Sequence, residues 1–164
     1  LRRVHLASAV ISTVTGGGSP GFSGDGGPAS AAETGMLTSV CVDLGRNIFI
    51  SDSGNYRVRR IDAVSGFIDT VAGNGSGGDL NSPQGVFVDR SGKLHVCDFL
   101  HYQVKTAQPG SLTLTVVAGT GNAGASGDGG PALSADIYPI GVVVLTNGDF
   151  LICGADRVRR VFKP

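Results

Sequence analysis

The sequence has no tryptophan, a single methionine and few charged residues, and these shortages narrow the classes of protein to which it can belong. Only 16% of its 164 residues are Asp, Glu, Lys or Arg, against roughly 25% in an average soluble domain. Thirteen basic residues balance thirteen acidic ones, so the chain lacks the positive excess that binds a phosphate backbone. We therefore expect no nucleic acid among its partners.

Long apolar runs are also absent. The longest apolar stretches extend over four to six positions, whereas a membrane-spanning helix needs about 20, so the sequence predicts no membrane span. The apolar content of 41% is nevertheless too high for a disordered tail. Glycine is abundant, with 27 residues, but it follows no three-residue period, which excludes a collagen-like triple helix. What remains is a globular chain dense in turns.

Cysteine is scarce and widely spaced. Cys41, Cys97 and Cys153 lie 56 residues apart each time, which excludes close-set zinc ligands of the CxxC type. We interpret all three as small buried hydrophobic residues. The chain begins at Leu1 with a segment that looks like the middle of a strand, so we expect it to be a processed product or a portion of a longer protein.

Several segments of the chain recur. The segment Ser-Gly-Asp-Gly-Gly-Pro-Ala occurs twice without change, at residues 23–29 and 126–132. Other segments recur with variation, and each is an apolar run together with the polar residues that follow it. They are Asp-Thr-Val-Ala-Gly-Asn-Gly at 69–75 (related to 12–18 and 115–121), Val-Cys-Val-Asp at 40–43 (86–89, 142–145), Ile-Phe-Ile-Ser-Asp at 48–52 (94–98, 150–154) and Val-Arg-Arg-Ile at 58–61 (1–4, 104–107, 158–161).

Each repeat contains four short apolar runs separated by Gly, Asp, Asn and Ser, a pattern that predicts strands joined by turns. Tight hairpin connections are expected at 43–47, 89–93 and 146–149, where Gly or Asn supplies a positive φ. Four-stranded units with a period of about 45 residues are typical of β-propeller blades. The sequence therefore predicts an all-β fold of four-stranded antiparallel blades, with helix limited to a turn or two at 28–37 and 131–137.

The repeated motifs resemble the NHL repeat of six-bladed β-propellers. Their order is P-x-G-V-x-V-D, G-x-x-x-V-x-D, R-V-R-R-I and T-V-A-G-x-G, and it covers nearly the whole chain. The best copy is 39–62, in which Asp52 and Asn55 stand in the family's D-S-x-N-x-R-V segment. The third copy departs most, with Leu145 and Gly154 in place of its two aspartates. The Ser-Gly-Asp-Gly-Gly-Pro-Ala insert is similar to that of a bacterial style of NHL array found in exported proteins.

The resemblance implies a single NHL-repeat array over residues 1–164, with about three blades. By the phase of the repeat, residues 1–15 end a preceding blade, 16–72 form the first blade, 73–118 the second and 119–164 an incomplete third. Six blades of about 45 residues need far more chain than this, so we expect a half-ring or an open arc. Repeat arrays need partners that cover their end faces. These end faces would be covered by copies of the chain, assembled as a ring or a fibre, or by further blades of a longer polypeptide.

Binding residues are expected on the rim that carries the inserts, because long loops on a rigid scaffold are where binding concentrates. The candidates there are Asp25, Asp52, Asn55, Asp98 and Asp128. Asp25 and Asp128 fit either a Ca²⁺ site with backbone carbonyls or a turn in which the side chain bonds its own backbone, which is favoured. Asp52 and Asp98 fit either a channel-facing ligand site or a cap on the turn after the second strand, and the cap is favoured.

Three other features have alternative interpretations. Asn74 begins the only permissive Asn-x-Ser/Thr sequence, in a blade-to-blade loop, and is a candidate glycosylation site or a chance match. Paired arginines such as Arg59 and Arg60 alternate between strand faces, so one of each pair is expected to pack between blades or to pair with a carboxylate. His95 lies at a strand position and is expected to line the core.

Two function hypotheses remain. The first is a non-catalytic structural or interaction scaffold, extracellular or at the cell surface, which binds copies of itself or other propeller blades and, on its rim, protein or glycan ligands. The second is a portion of an NHL-type propeller enzyme of the lyase or esterase kind, with a metal ion on its axis. The repeats are similar at scaffold positions, and no nucleophile elbow or catalytic carboxylate pair appears. The scaffold is therefore favoured, with no catalytic residue, metal ligand or cofactor predicted.

Overall fold

The computed structural model describes residues 1–162, which form an all-β fold of antiparallel sheets. The predicted all-β class is confirmed. Helix within the described chain is limited to four 3₁₀ turns, none of them long and apolar enough to cross a membrane. The strands are β1 (Arg2–His5), β2 (Val10–Thr13), β3 (Gly27–Pro28), β4 (Leu37–Val42), β5 (Ile48–Asp52), β6 (Arg57–Ile61), β7 (Phe67–Ala72), β8 (Pro83–Val88), β9 (Leu94–Asp98), β10 (Gln103–Ala107), β11 (Thr115–Ala118), β12 (Gly141–Val144), β13 (Phe150–Gly154) and β14 (Arg157–Val161).

Four sheets follow one another along the chain. Sheet 1 is the hairpin β1-β2, sheet 2 has the order β3-β7-β6-β5-β4, sheet 3 has β11-β10-β9-β8 and sheet 4 has β12-β13-β14. Apart from the two-residue β3, each sheet is a meander in which every strand pairs with the next one in sequence. The last two residues of the predicted repeat 119–164 lie outside the described chain.

Tight turns join β4 to β5 in sheet 2, β8 to β9 in sheet 3 and β12 to β13 in sheet 4. Gly92 and Gly148 take the positive φ, +83° and +91°, in the turns of sheets 3 and 4. In sheet 2 the residue with positive φ is Arg46, at +67°, so the expectation of Gly or Asn is wrong for this turn. Asp43 holds the turn closed, because its Oδ1 accepts a hydrogen bond of 2.8 Å from the Asn47 N–H.

The first strands of sheets 2, 3 and 4 lie side by side, since β8 contacts both β4 and β12. At this convergence the N–H of Gly85 on β8 donates to the carbonyl of Ile140 at 2.8 Å. A Cβ at position 85 would lie 2.7 Å from the Cα of Gly141. The close approach of two backbones explains why the P-x-G-V motif needs glycine.

The hydrophobic core lies between successive sheets, and burial is greatest in sheet 3. All five residues of β9 are buried, whereas all four residues of β1 are exposed and β14 is mostly exposed. Sheets 2 and 3 enclose Phe49, Val58, Ala72, Leu80, Val86, Val88, Leu94, Val96 and Ala107, and sheets 3 and 4 enclose Cys97, Val104, Ala118, Ala135, Ile137 and Ile152.

The three cysteines differ in exposure. Cys97 is buried and Cys41 is half-buried, but Cys153 is exposed, so the expectation of three buried thiols is wrong for Cys153. Alternation along β13 explains the difference. Ile152 faces sheet 3 and its neighbour Cys153 faces away, where no sheet of the described chain packs. Burial raises the pKa of the Cys97 thiol, and it raises that of Cys41 to about 11.

These environments predict an order of thiol reactivity. In dilute native protein we expect iodoacetamide to modify Cys153, while Cys97 stays unmodified because it is inaccessible and poorly ionised. Peptide mass spectrometry after short labelling measures both sites. The same reaction in denaturant should modify all three cysteines and is the control. Native labelling of Cys97 as fast as that of Cys153 would contradict the packing of sheet 4 on sheet 3.

Candidate functional site

The insert-bearing rim is organised around the guanidinium of Arg59, a β6 side chain with no exposed surface. We call residues 16–36 the first insert. Arg59 Nη1 donates to the carbonyl of Glu33 at 2.8 Å and Nη2 to that of Ser23 at 2.7 Å, one on each arm of this loop. Its Nε and Nη2 also donate to Oδ1 of Asp25, at 3.1 and 2.7 Å. The planar guanidinium thus bonds both arms of the loop and neutralises a carboxylate. A lysine ammonium lacks this fixed, forked arrangement of donors.

Asp25 fastens the first insert to β7 as well. Its Oδ2 accepts a hydrogen bond of 2.6 Å from the hydroxyl of Thr70, and the N–H of Gly26 donates to the carbonyl of Ile68 at 2.9 Å. Both oxygens of the Asp25 carboxylate are therefore engaged by protein groups, one of them by a cation. Nowhere in residues 1–162 are three His, Cys, Asp or Glu side chains grouped to hold a metal ion.

Asp52 and Asn55 bind two further points of the same loop, at Gly35 and Gly21. Asp52 is buried at the end of β5, and its Oδ1 accepts a hydrogen bond of 2.8 Å from the N–H of Gly35. Asn55 Nδ2 donates to Oδ2 of Asp52 at 2.9 Å and to the carbonyl of Gly21 at 2.8 Å. Burial raises the pKa of the Asp52 carboxyl, against the opposing hydrogen bonds from Asn55 and Gly35 and the charge of Arg59. These polar groups face the loop rather than solvent.

Asp98 occupies the equivalent place in sheet 3, where the repeat has no insert. Its Oδ1 accepts a hydrogen bond of 2.7 Å from the N–H of Asn81, and its Oδ2 lies 2.6 Å from Nζ of Lys105 and 2.7 Å from Nδ1 of His101. Lys105 Nζ also donates to the carbonyl of Asp79 at 2.8 Å. The shorter loop is therefore held by the ammonium of Lys105, whereas the first insert is held by the guanidinium of Arg59.

Asp128 lies in the second insert, residues 119–140, and pairs with Arg159 on β14. Arg159 Nε donates to Asp128 Oδ1 at 2.7 Å, Nη1 to the carbonyl of Asp136 at 2.8 Å and Nη2 to that of Ser126 at 2.9 Å. These are the Arg59 contacts repeated. They are more exposed, since the Asp128 side chain is 72% exposed against 35% for Asp25. Gly154 also stands where sheet 2 has the buried Asp52.

The structure therefore does not join the five candidate residues in one site. Asp25, Asp52 and Asn55 converge on the first insert, while Asp98 and Asp128 serve sheets 3 and 4. The residue that organises each loop, at positions 59, 105 and 159, was not among the candidates. The repeats do indicate this residue. The two copies that contain Ser-Gly-Asp-Gly-Gly-Pro-Ala have Arg at the equivalent position, and the copy without that segment has Lys.

The outer surface of the first insert presents an aromatic ring and a cation. The guanidinium of Arg57 lies 3.7 Å from the ring centre of Phe22, which is 40% exposed, and Arg57 donates to the carbonyl of Asn74 at 3.0 Å. Asn74 is exposed, and its Oδ1 accepts hydrogen bonds from the N–H and hydroxyl of Ser76. His95 is buried and its Nε2 lies 3.2 Å from Asp89.

No protein-family model matches the chain, and no significant relative is found among curated proteins. Solved structures do match. A structural genomics protein of unknown function from Bacteroides thetaiotaomicron superposes with a TM-score of 0.73 at 17% identity, over 97% of this chain and 41% of that one. A chain of the nidogen/laminin complex superposes with a TM-score of 0.66 at 16% identity, over 98% of this chain and 51% of that one.

The fold is propeller-like. At identities of 17% and 16% the two likenesses show the fold alone. The chain spans 41% and 51% of the lengths of these neighbours, so each neighbour has about half of its structure outside the matched region.

Removal of the guanidinium at position 59 tests its role in holding the first insert. We expect Arg59→Ala to lower the free energy of unfolding by about 3 kcal/mol, because it leaves the Oδ1 of Asp25 and two loop carbonyls without the donors that Arg59 supplies. Urea unfolding followed by circular dichroism measures the loss. Arg159→Ala is the matched control, and its more exposed ion pair should contribute about 1 kcal/mol. Equal losses in the two variants would contradict the difference in burial.

Proposed function

We propose that the protein is a non-catalytic interaction scaffold of NHL-type propeller blades, and that its insert-bearing rim binds a protein or glycan ligand. The observation that carries the proposal is the rigid anchoring of the first insert by Arg59, Asp52 and Asn55. A loop held on both of its arms loses little conformational entropy when it binds a partner. The exposed Phe22 ring under Arg57 is an anchor of the kind enriched at protein interfaces.

The use of the polar residues supports a scaffold over an enzyme. Asp25, Asp52, Asp98 and Asp128 each accept hydrogen bonds or pair with a basic side chain that belongs to the same rim. A catalytic carboxylate would instead need to reach a substrate. One structural neighbour comes from a nidogen/laminin complex, so the fold is used elsewhere within a protein–protein assembly.

We further propose that more blades complete the arc, supplied by a second copy or by a longer polypeptide. Sheets 1 and 4 support this, because their outward faces expose apolar side chains such as Val4, Ile11 and Val158. Faces of this kind in repeat proteins are covered by a neighbouring repeat. An extracellular or cell-surface location is part of the proposal and rests on the resemblance of the insert to exported NHL arrays.

Light scattering coupled to size-exclusion chromatography tests the need for further blades. We expect the purified chain to have a mass above its monomer value of 16.6 kDa, as a dimer or a larger assembly. A monomer of 16.6 kDa that unfolds cooperatively would contradict the need for further blades. Metal analysis of the same sample addresses the scaffold itself, because stoichiometric Ca²⁺ or Zn²⁺ would favour the axial-metal enzyme instead.

A further inference from the structure

Sheets 2 and 4 contain the same insert and the same arginine, but sheet 2 has two strands, β3 and β7, without a counterpart among the described strands of sheet 4. In sheet 2 the first insert contributes β3, which pairs with β7, and β7 pairs with the arginine-bearing β6. In sheet 4 the arginine-bearing β14 pairs only with β13 among the described strands. The second insert therefore lies beside β14, and no strand of residues 1–162 occupies the place that β7 has in sheet 2. We call this place the strand slot.

Backbone groups of the second insert face this slot without partners. In sheet 2 the N–H groups of Gly26 and Ala29 donate to carbonyls next to and within β7, at 2.9 Å each. The equivalent N–H groups, of Gly129 and Ala132, have no acceptor within residues 1–162. Unsatisfied groups at matched positions are those that an added strand would bond.

The side chains around the strand slot also make fewer contacts and are more exposed than their equivalents in sheet 2. Asp25 receives the Thr70 hydroxyl from β7 at 2.6 Å, whereas Asp128 receives no hydroxyl in the described chain. The Arg159 side chain is 14% exposed against 0% for Arg59. A cleft of about 1030 Å³ opens here, lined on one side by residues 127–133 and on another by 159–162.

The strand β2 of this chain has the sequence and register that the slot requires. In sheet 1, Arg2 on β1 is opposite Thr13 on β2, as Arg59 on β6 is opposite Thr70 on β7. The turn before β2 also matches, since Ala9 has a φ of +54° where Gly66 has +72°. Within its own hairpin β2 is mostly exposed. It therefore carries the pattern of β7 without the packing of β7.

We propose that the slot beside β14 binds β2 of a second copy of this chain, with Thr13 of the second copy opposite Arg159. Thr13 then donates its hydroxyl to Asp128, and the N–H groups of Gly129 and Ala132 donate to carbonyls of the incoming strand. The inference rests on the proposed function, since it specifies how a second copy would complete sheet 4.

In this arrangement β1 of the second copy separates from β2, and β14 stays in place. The two strands have similar sequences but different attachments. Arg159 and Arg160 on β14 pair with Asp128 and Asp149, whereas Arg2 and Arg3 on β1 form no ion pair in the described chain. All four residues of β1 are already exposed, so its release uncovers little apolar surface.

Disulfide trapping between two chains, each with one engineered cysteine, tests the register. The parent carries Cys41→Ser and Cys153→Ser and keeps the buried Cys97. One population then carries Ile11→Cys and the other Val161→Cys, a pair equivalent to Ile68 and Ile61, which are opposite each other in sheet 2. We expect mild oxidation of the mixture to give a disulfide-linked heterodimer. The control pair Ser12→Cys and Val161→Cys is displaced by one residue onto the opposite face and should give roughly tenfold less.

A second measurement addresses the hydroxyl of Thr13. Thr13→Val, added to the Ile11→Cys population, should reduce the yield of heterodimer, and the exposed loop substitution Thr113→Val should not. A synthetic peptide of residues 9–16 should compete with trapping, and the same peptide with Thr13→Val should compete less. Circular dichroism of each variant checks that the sheets are retained.

The outcomes separate this inference from the proposed function. Trapping in register, reduced by Thr13→Val and by the peptide, supports the strand slot. Assembly by light scattering with equal trapping of the control pair, or with none, overturns the strand slot and leaves the scaffold in place. A cooperatively folded monomer that is not trapped overturns both the strand slot and the need for further blades.

Discussion

Packing of each sheet against the next is the constraint on which the rest of this molecule depends, because a meander of short strands cannot bury both of its faces alone. Burial follows position in the array. Sheet 3 has neighbours on both sides and its β9 is wholly buried, whereas sheets 1 and 4 each leave a face uncovered in the described chain. Gly85 meets the same constraint at the convergence of the first strands, where only hydrogen fits between two backbones.

The inserts show how loops can be added to such an array without loss of order. A long loop costs conformational entropy, and its backbone polar groups need partners. Arg59 meets both requirements from within the sheet, through two carbonyls and one carboxylate. Lys105 meets the smaller requirement of a repeat without the insert through one carbonyl and Asp98. The choice of cation thus follows the loop that it holds.

Sheet 4 shows the same loop anchor where no strand of the described chain lies beside the arginine-bearing strand. The contacts of Arg159 reproduce those of Arg59, yet the carboxylate that it holds is twice as exposed, at 72% against 35%. The fourth strand therefore contributes to the anchor together with the arginine, by covering the ion pair and by supplying a hydroxyl. An ion pair in a covered position is also the more costly one to break.

The sequence by itself determined the strands, the turns between them and the positions of the inserts. These depend on local properties, namely apolar alternation and the residues that tolerate tight turns. Only the tertiary structure decided that Arg59 binds Asp25, 34 residues away, and that Asp52 faces a loop rather than a ligand. It also decided that Cys153 is exposed and Cys97 buried. Equivalent positions in a repeat share a strand geometry, but their burial depends on which sheet covers each face, and that is not encoded locally.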